Sequence, residues 1–281
     1  MRILLIGKNG QLGHELARSL PAVVEEVIAT DRSQLELTDP DAIRRVVRDA
    51  RPNVIINVSA YNAVDRAEDE SKLAMTVNGS APGVLAEEAK RLGALLVHYS
   101  TDYVFDGSKR TPYLEDDAPA PLSTYGASKL AGELAVRSSG SRYLLLRTRW
   151  VYGPRANNFY AVVKRKAAAA EPMRMVDDQT SVPTPASFLA AMTIALLDKE
   201  AAGLMHLVPS GEATRYEFAR EIVRLSGSRS KVEPARTTDF PSAARRPAYS
   251  VMSNARAASA LGGALPDWKA QLQQVMAHLA G

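Results

Sequence analysis

The stretch LLIGKNGQLGHEL, Leu4–Leu16, decides the fold. It starts as an apolar run, breaks at Gly7, Gly10 and Gly13, and passes into a helical pattern over Gln11–Leu20. Glycine lets the backbone turn sharply and approach a pyrophosphate, whose charge the following helix N-terminus favours. The spacing is GxxGxxG rather than the commoner GxGxxG, and a plain strand–helix turn can also carry three glycines. Asp31 adds weight, because it follows the next apolar run, 21 residues after Gly10. A carboxylate there accepts hydrogen bonds from the adenosine ribose hydroxyls. Together the two features predict dinucleotide binding. Arg32 points to a second cofactor: Asp31 suits NADH, while a neighbouring guanidinium suits the additional phosphate of NADPH, so both are expected.

Working outward, short apolar runs recur at Ile3–Ile6, Val27–Ala29, Val54–Val58, Leu95–Tyr99 and Tyr143–Leu146. Helical patterns lie between them, at Gln11–Leu20, Asp41–Asp49, Ala81–Leu92 and Ser123–Arg137. Near-continuous apolar strands alternating with helices predict an α/β, Rossmann-like, doubly wound parallel sheet. Thr38-Asp39-Pro40 and LSTYGASK read as helix starts. After Trp150 the pattern changes. YGPRANN and DDQTSVPTPAS are loop-like, AVVKRKAAAA is a strong helix former, and GLMHLV at Gly203–Val208 is a short apolar run. A helix at Tyr216–Leu225 and a basic, proline-bearing segment, DFPSAARRPAYS, follow. The expected division is a dinucleotide-binding unit over 1–148, with a return segment near 177–200, and a smaller, interleaved substrate unit over 149–281 covering the C-terminal ends of the strands. That edge is where open parallel sheets bind ligands.

Composition narrows the function. The 281 residues include no cysteine, so there is no disulfide, thiol nucleophile or thiolate metal site. With 46% hydrophobic residues a sizeable core is available, yet no run of 18 apolar residues predicts a membrane span. MRILLIGKNG makes a poor secretory signal, and a cytoplasmic protein is expected. The net charge of +4 is spread along the chain. That suits a small anionic ligand better than nucleic acid.

The apolar run GALLVHY ends abruptly on STDYVF, Ser100–Phe105. Further on, STYGASKLAGE places Tyr125 and Lys129 four residues apart, on one face of a helix. A nearby ammonium favours the phenolate and is expected to lower the phenol below its usual value of about 10. Such a tyrosine exchanges a proton with a carbonyl or alcohol oxygen. YxxxK alone is common on half-exposed helices. It gains meaning because the polar strand end would bring the Thr101 hydroxyl to the same oxygen.

The glycine turn, STDYVFDG, YGASKLAGE and the C-terminal ARRP together resemble the extended short-chain dehydrogenase/reductase family, and within it the reductases of dTDP-linked 4-keto sugars. The resemblance spans essentially the whole chain, through NVSAYNAVDRAE, RTRWVYGPRANNF, DDQTSVPTP and GLMHLVPSGEATRYEFA in family order. It implies NAD(P)H-dependent reduction of the 4-keto group of dTDP-6-deoxy-L-lyxo-4-hexulose. It places Gly10, Gln11 and Leu12 along the pyrophosphate, Asp31 on the ribose and Glu36 and Leu37 beside the adenine. Ala60, Tyr61 and Asn62 line the cofactor groove, with Tyr99 near it. Thr101, Tyr125 and Lys129 form the catalytic group, Thr101 and Asp102 face the sugar, Trp150 bounds the substrate and Arg246 reaches its diphosphate. Asn57 and Asn78 read as structural.

Some features depart from the pattern. Thr101 stands for the usual serine and keeps its hydroxyl. Arg215 stands where members often carry tryptophan, and Ser181 where they often carry glycine, both outside the expected chemistry. Glu15 matches a family Mg²⁺ ligand, but ASFLAAMTIALL offers no acidic partner before Asp198. Glu15 is therefore read as an exposed helix carboxylate, and the chain as a monomer or weak homodimer that needs no metal. Two rival functions stay in view. A sugar-nucleotide epimerase or dehydratase is one, although a dehydratase wants an acidic pair where Asp102 is followed by Tyr103. The other is a non-catalytic NADP-binding regulatory subunit, like the beta subunit of methionine adenosyltransferase, which has no need of a proton donor.

Overall fold

The computed structural model describes residues 1–155 and 158–278. Ala156 and Asn157, in the stretch read as a loop, lie outside the described residues. In chain order the first unit runs β1 (Arg2–Ile6), α1 (Gln11–Ser19), β2 (Glu26–Thr30), α2 (Pro40–Ala50), β3 (Val54–Asn57), α3 (Ser71–Met75), α4 (Ala81–Leu92), β4 (Leu95–Thr101), α5 (Thr124–Ser138) and β5 (Arg142–Thr148). Then follow β6 (Val151–Tyr152), α6 (Phe159–Ala168), β7 (Met173–Val176), β8 (Thr180–Ser181), β9 (Thr184–Pro185), α7 (Ala186–Asp198) and β10 (Gly203–His206). The chain ends with β11 (Ala213–Thr214), α8 (Arg215–Leu225), β12 (Val232–Ala235), α9 (Ala255–Leu261) and α10 (Trp268–His278).

Six strands form one parallel sheet, in the order β10-β5-β4-β3-β1-β2. Successive side chains point to opposite faces, and both faces are covered. Ile3, Leu5, Ile56, Val97 and Leu146 pack with Leu12 and Leu16 of α1 and Phe188 and Leu189 of α7. Leu4, Ile6, Ile55, Leu96 and Leu145 pack against Ile43 and Val47 of α2, Leu85 of α4 and Val136 of α5. Burial on both faces explains why these strands read as unbroken apolar runs. A second core joins Tyr152, Tyr160, Phe218, Ile222, Trp268 and Leu272, from α6, α8, α10 and the short strands.

The caps explain where the helices begin. Asp39 accepts hydrogen bonds from the Asp41 and Ala42 amides, with Pro40 in the first turn, and Ser123 accepts one from Gly126. The chain returns to the sheet through α7 and β10, so the first four residues of the GLMHLV run, Gly203–His206, form the sixth strand of the main sheet. Strand order reverses around β1, with β2 on one side and β3 on the other. The crevice at the C-terminal ends of β1 and β3 opens there.

Candidate active site

The glycine turn builds the floor of this crevice. Gly7 has φ +99°, and a Cβ on it would lie 2.5 Å from Ser59 Oγ. A Cβ on Gly13 would come within 2.0 Å of the Gly7 carbonyl oxygen, so only glycine lets α1 start this close to β1. The helix begins at Gly10 with no side-chain cap and no acidic residue in its first turn. Its first amides are thereby left for an anion. Two connected cavities flank the turn. One, about 480 Å³, is lined by Gly7, Gly10, Asp31, Arg32, Glu36 and Leu37, and by Ala60, Tyr61 and Asn62 after β3. Asp31 is held by Asn9 (3.1 Å), Ser33 and Lys8 (3.5 Å); the hydrogen bond from Ser33 is the main reason its carboxyl sits below the usual range. Arg32 donates to Glu36 at 2.7 Å. Asn78 fixes the outer wall by exchanging hydrogen bonds with the backbone of Tyr61 and donating to Ser128 on α5. It sits in a π-helical turn, Thr76–Ser80, that the sequence did not foretell.

The second cavity, about 400 Å³, shares Gly10, Ala60 and Asn62 with the first. Gln11, Leu12, Gly13, Tyr99, Thr101, Asp102, Tyr125, Lys129 and Trp150 complete much of its lining. Thr101 stands at the end of β4, while Tyr125 and Lys129 rise one helical turn apart on α5. Burial pushes the Tyr125 phenol up to about 12, opposed by a hydrogen bond with Thr101. This corrects the expectation that Lys129 lowers it. The ammonium instead donates to the Tyr99 carbonyl at 2.6 Å, and burial pulls its own pKa down to about 8. The Tyr99 ring is buried, and its hydroxyl bonds Thr193 on α7. Ser100 and Thr148, also lining the cleft, hold buried hydroxyls that have no partner among the described residues. Hydroxyls left so are ready for the polar atoms of a ligand. Tyr103, read in the sequence only as the missing second carboxylate of a dehydratase, stands edge-on to Tyr125 at 5.4 Å between ring centres.

Four further expectations change. Asp102 is 1% exposed and ion-paired with the equally buried Arg149, which also donates to Ser250 at 2.8 Å. It therefore braces the cleft wall and offers no free carboxylate. Arg246 lies outside the cleft, in a neighbouring cavity of about 320 Å³, and grips Asp65 at 2.7 and 3.1 Å. Arg215, expected outside the chemistry, lines the cleft itself. Its guanidinium lies 4.0 Å from the centre of the Trp150 ring. Trp150 is held at φ +42°, a conformation that costs a bulky residue about 1–3 kcal/mol. Ser181 is buried in β8 and donates to the Ser250 carbonyl. Glu15, read as exposed, is only 8% exposed and takes a hydrogen bond from Arg18 at 2.9 Å, because α1 packs against α7. Among the described residues no cluster of three or more metal-ligating side chains occurs.

A parallel sheet with a glycine-cradled groove, opening on a cleft that holds threonine, tyrosine and lysine, defines an oxidoreductase of the short-chain dehydrogenase/reductase fold. The family described as RmlD substrate binding domain matches residues 1–280. The chain is 43% identical to a dTDP-4-dehydrorhamnose reductase of Burkholderia thailandensis, covering 96% of both chains. It is 38% identical to one of Escherichia coli, covering 99% of this chain and 98% of the other. The crystal structure of dTDP-4-dehydrorhamnose reductase from Bacillus anthracis in complex with NADP superposes with a TM-score of 0.94 at 34% identity over 99% of each chain. The chain belongs to the dTDP-4-dehydrorhamnose reductase family.

Proposed function

We propose that this chain reduces the 4-keto group of dTDP-6-deoxy-L-lyxo-4-hexulose to give dTDP-L-rhamnose, with NADPH or NADH as reductant. The observation that carries the proposal is the position of Thr101, Tyr125 and Lys129, between the dinucleotide groove and a cavity on the far side of Arg215. The bound nicotinamide supplies the hydride. Gly10, Gln11 and Leu12 would hold its pyrophosphate at the start of α1, and Asp31 and Arg32 its adenosine end. Tyr125 donates the proton to the developing alkoxide. Burial suits this role, because a phenol kept near 12 carries its proton at neutral pH. Thr101 steadies the same oxygen with a second hydrogen bond. Lys129, which lines the same cleft, would supply positive charge to it as the phenol becomes a phenolate.

The pairing of Asp102 with Arg149 favours reduction over dehydration. Among the described residues Asp102 is the one carboxylate in the cleft lining, and it is neutralised. An elimination would need a free base. On this reading residues 1–148, with the return through α7 and β10, hold the cofactor, and most of 149–281 holds the sugar nucleotide. We further propose that the chain works as a monomer or weak homodimer without metal. No described helix is long and apolar enough to cross a membrane. The test is NADPH oxidation on adding the keto-sugar nucleotide, with the product identified as dTDP-L-rhamnose. Cofactor binding without oxidation would sink the proposal and return a non-catalytic NADP-binding role.

A further inference from the structure

A nucleoside diphosphate sugar must lay its sugar on the catalytic group and its nucleoside somewhere else, with the diphosphate between. The structure offers two cavities for this. One is the catalytic cleft; the other is lined by Phe159, Arg174, Gln179, Phe240 and Arg246 among others. Among the described residues only Arg215 lines both. Three guanidinium groups, of Arg149, Arg215 and Arg246, influence one another at this junction. Two are committed: Arg149 to Asp102 and Arg246 to Asp65. Arg215 has no carboxylate partner among the described residues. Its guanidinium carbon lies 4.0 Å from the centre of the Trp150 ring and 4.7 Å from that of Phe159, and its N–H groups have no hydrogen-bond partner among the described residues, which leaves them free to donate. Burial and the nearby Arg246 pull its pKa down to about 10, so it stays charged at neutral pH while lacking a counter-ion.

We infer that Arg215 is the residue that binds the substrate's diphosphate, stacked in place by Trp150 and Phe159, and that Arg246 instead latches the C-terminal segment to Asp65. The inference rests on the nucleotide-sugar substrate proposed above. A diphosphate oxygen pair matches the guanidinium fork, and its negative charge relieves the repulsion between Arg215 and Arg246.

The experiment is calorimetric titration of dTDP and of thymidine into the full chain saturated with NADPH. It compares wild type, Arg215→Ala, Arg215→Lys and Arg246→Ala. Loss of a charge-assisted contact predicts that Arg215→Ala weakens dTDP by about 10–100-fold. Thymidine and NADPH binding should be unchanged, the latter also showing that the variant is folded. Arg215→Lys should recover part of the affinity, because it keeps the charge. In turnover, KM for the keto sugar should rise more than kcat falls. The inference is overturned if dTDP binds Arg215→Ala normally, if thymidine weakens by the same factor, if lysine serves no better than alanine, or if Arg246→Ala alone gives the phosphate-selective loss. Binding of dTDP needs no turnover, so the two claims separate. A chain that binds dTDP through Arg215 yet reduces no keto sugar supports this inference and refutes the reaction. A wild type that binds no dTDP refutes both.

Discussion

Replacing Lys129 by methionine should change how stability depends on pH. Lys129 is 3% exposed, and burial pulls its pKa from 10.5 to about 8. Below pH 8 the ammonium is charged in both folded and unfolded chains, and the folded state carries the whole desolvation burden. As pH rises from 8 to 10.5 the folded chain releases the proton while the unfolded chain keeps it, so stability increases. Above 10.5 the lysine is neutral in both states and the burden is gone. At about 1.36 kcal/mol per pH unit, the displacement amounts to about 3 kcal/mol. Methionine has no such burden. It does lose the 2.6 Å hydrogen bond to the Tyr99 carbonyl, but that loss is nearly the same at every pH where the ammonium persists. The wild type should therefore gain about 2–3 kcal/mol on the variant between pH 7 and pH 10. Urea unfolding of the cofactor-free proteins at several pH values in this window measures it. The window stops short of the Tyr125 titration, which lies between about 10 and about 12. Stability curves that stay parallel from pH 7 to pH 10 would refute the reasoning and mean that Lys129 is well solvated or firmly counter-charged in the folded chain.

The other expectations concern turnover. Tyr125→Phe should fold and bind the dinucleotide but lose about 10²–10⁴-fold in reductase activity; a variant keeping more than half of wild-type turnover removes the proton-donor role. Reductase kcat/KM should fall above about pH 8, as Lys129 loses its charge, and a flat profile to pH 9.5 would contradict this. Arg32→Ala should raise KM for NADPH more than for NADH, and equal increases would show that Arg32 does not reach the 2′-phosphate. Activity and sedimentation should be indifferent to EDTA, whereas a dimer split by chelation would overturn the metal-free assignment.

The frame of the fold was legible because its physics is local. Strands covered on both faces must be apolar throughout, and helices between them carry caps such as Asp39 and Ser123 that sequence alone displays. The π-helical turn at Thr76–Ser80 was not legible. Its stability comes from Asn78 bridging Tyr61 and Ser128, contacts 17 and 50 residues away along the chain. The role of Gly203–His206 was also hidden, since four residues of GLMH look alike whether they join the main sheet or a small one. Only pairing with β5 decides.

In the site, residue types were readable while their partners were not. Tyr125 and Lys129 share a helix face by spacing alone, so their place in one cleft was predictable. The sign of the Tyr125 shift was not, because it depends on how deeply the cleft buries the phenol and on where the lysine turns its ammonium. Likewise Asp102 reads as a carboxylate facing the sugar until Arg149, 47 residues on, is seen to neutralise it. Arg246 reads as an anion site until Asp65, 181 residues earlier, is seen to occupy it. Both failures have one cause. A sequence lists charges without their counter-ions, and a charge that the fold has already paired inside a cleft wall or a domain contact is poorly placed to bind a substrate anion. Applied to the arginines of the cleft and its neighbouring cavity, that criterion passes over Arg149 and Arg246 and selects Arg215, which the sequence marks only as a departure from the family's usual tryptophan, at the first residue of an amphipathic helix.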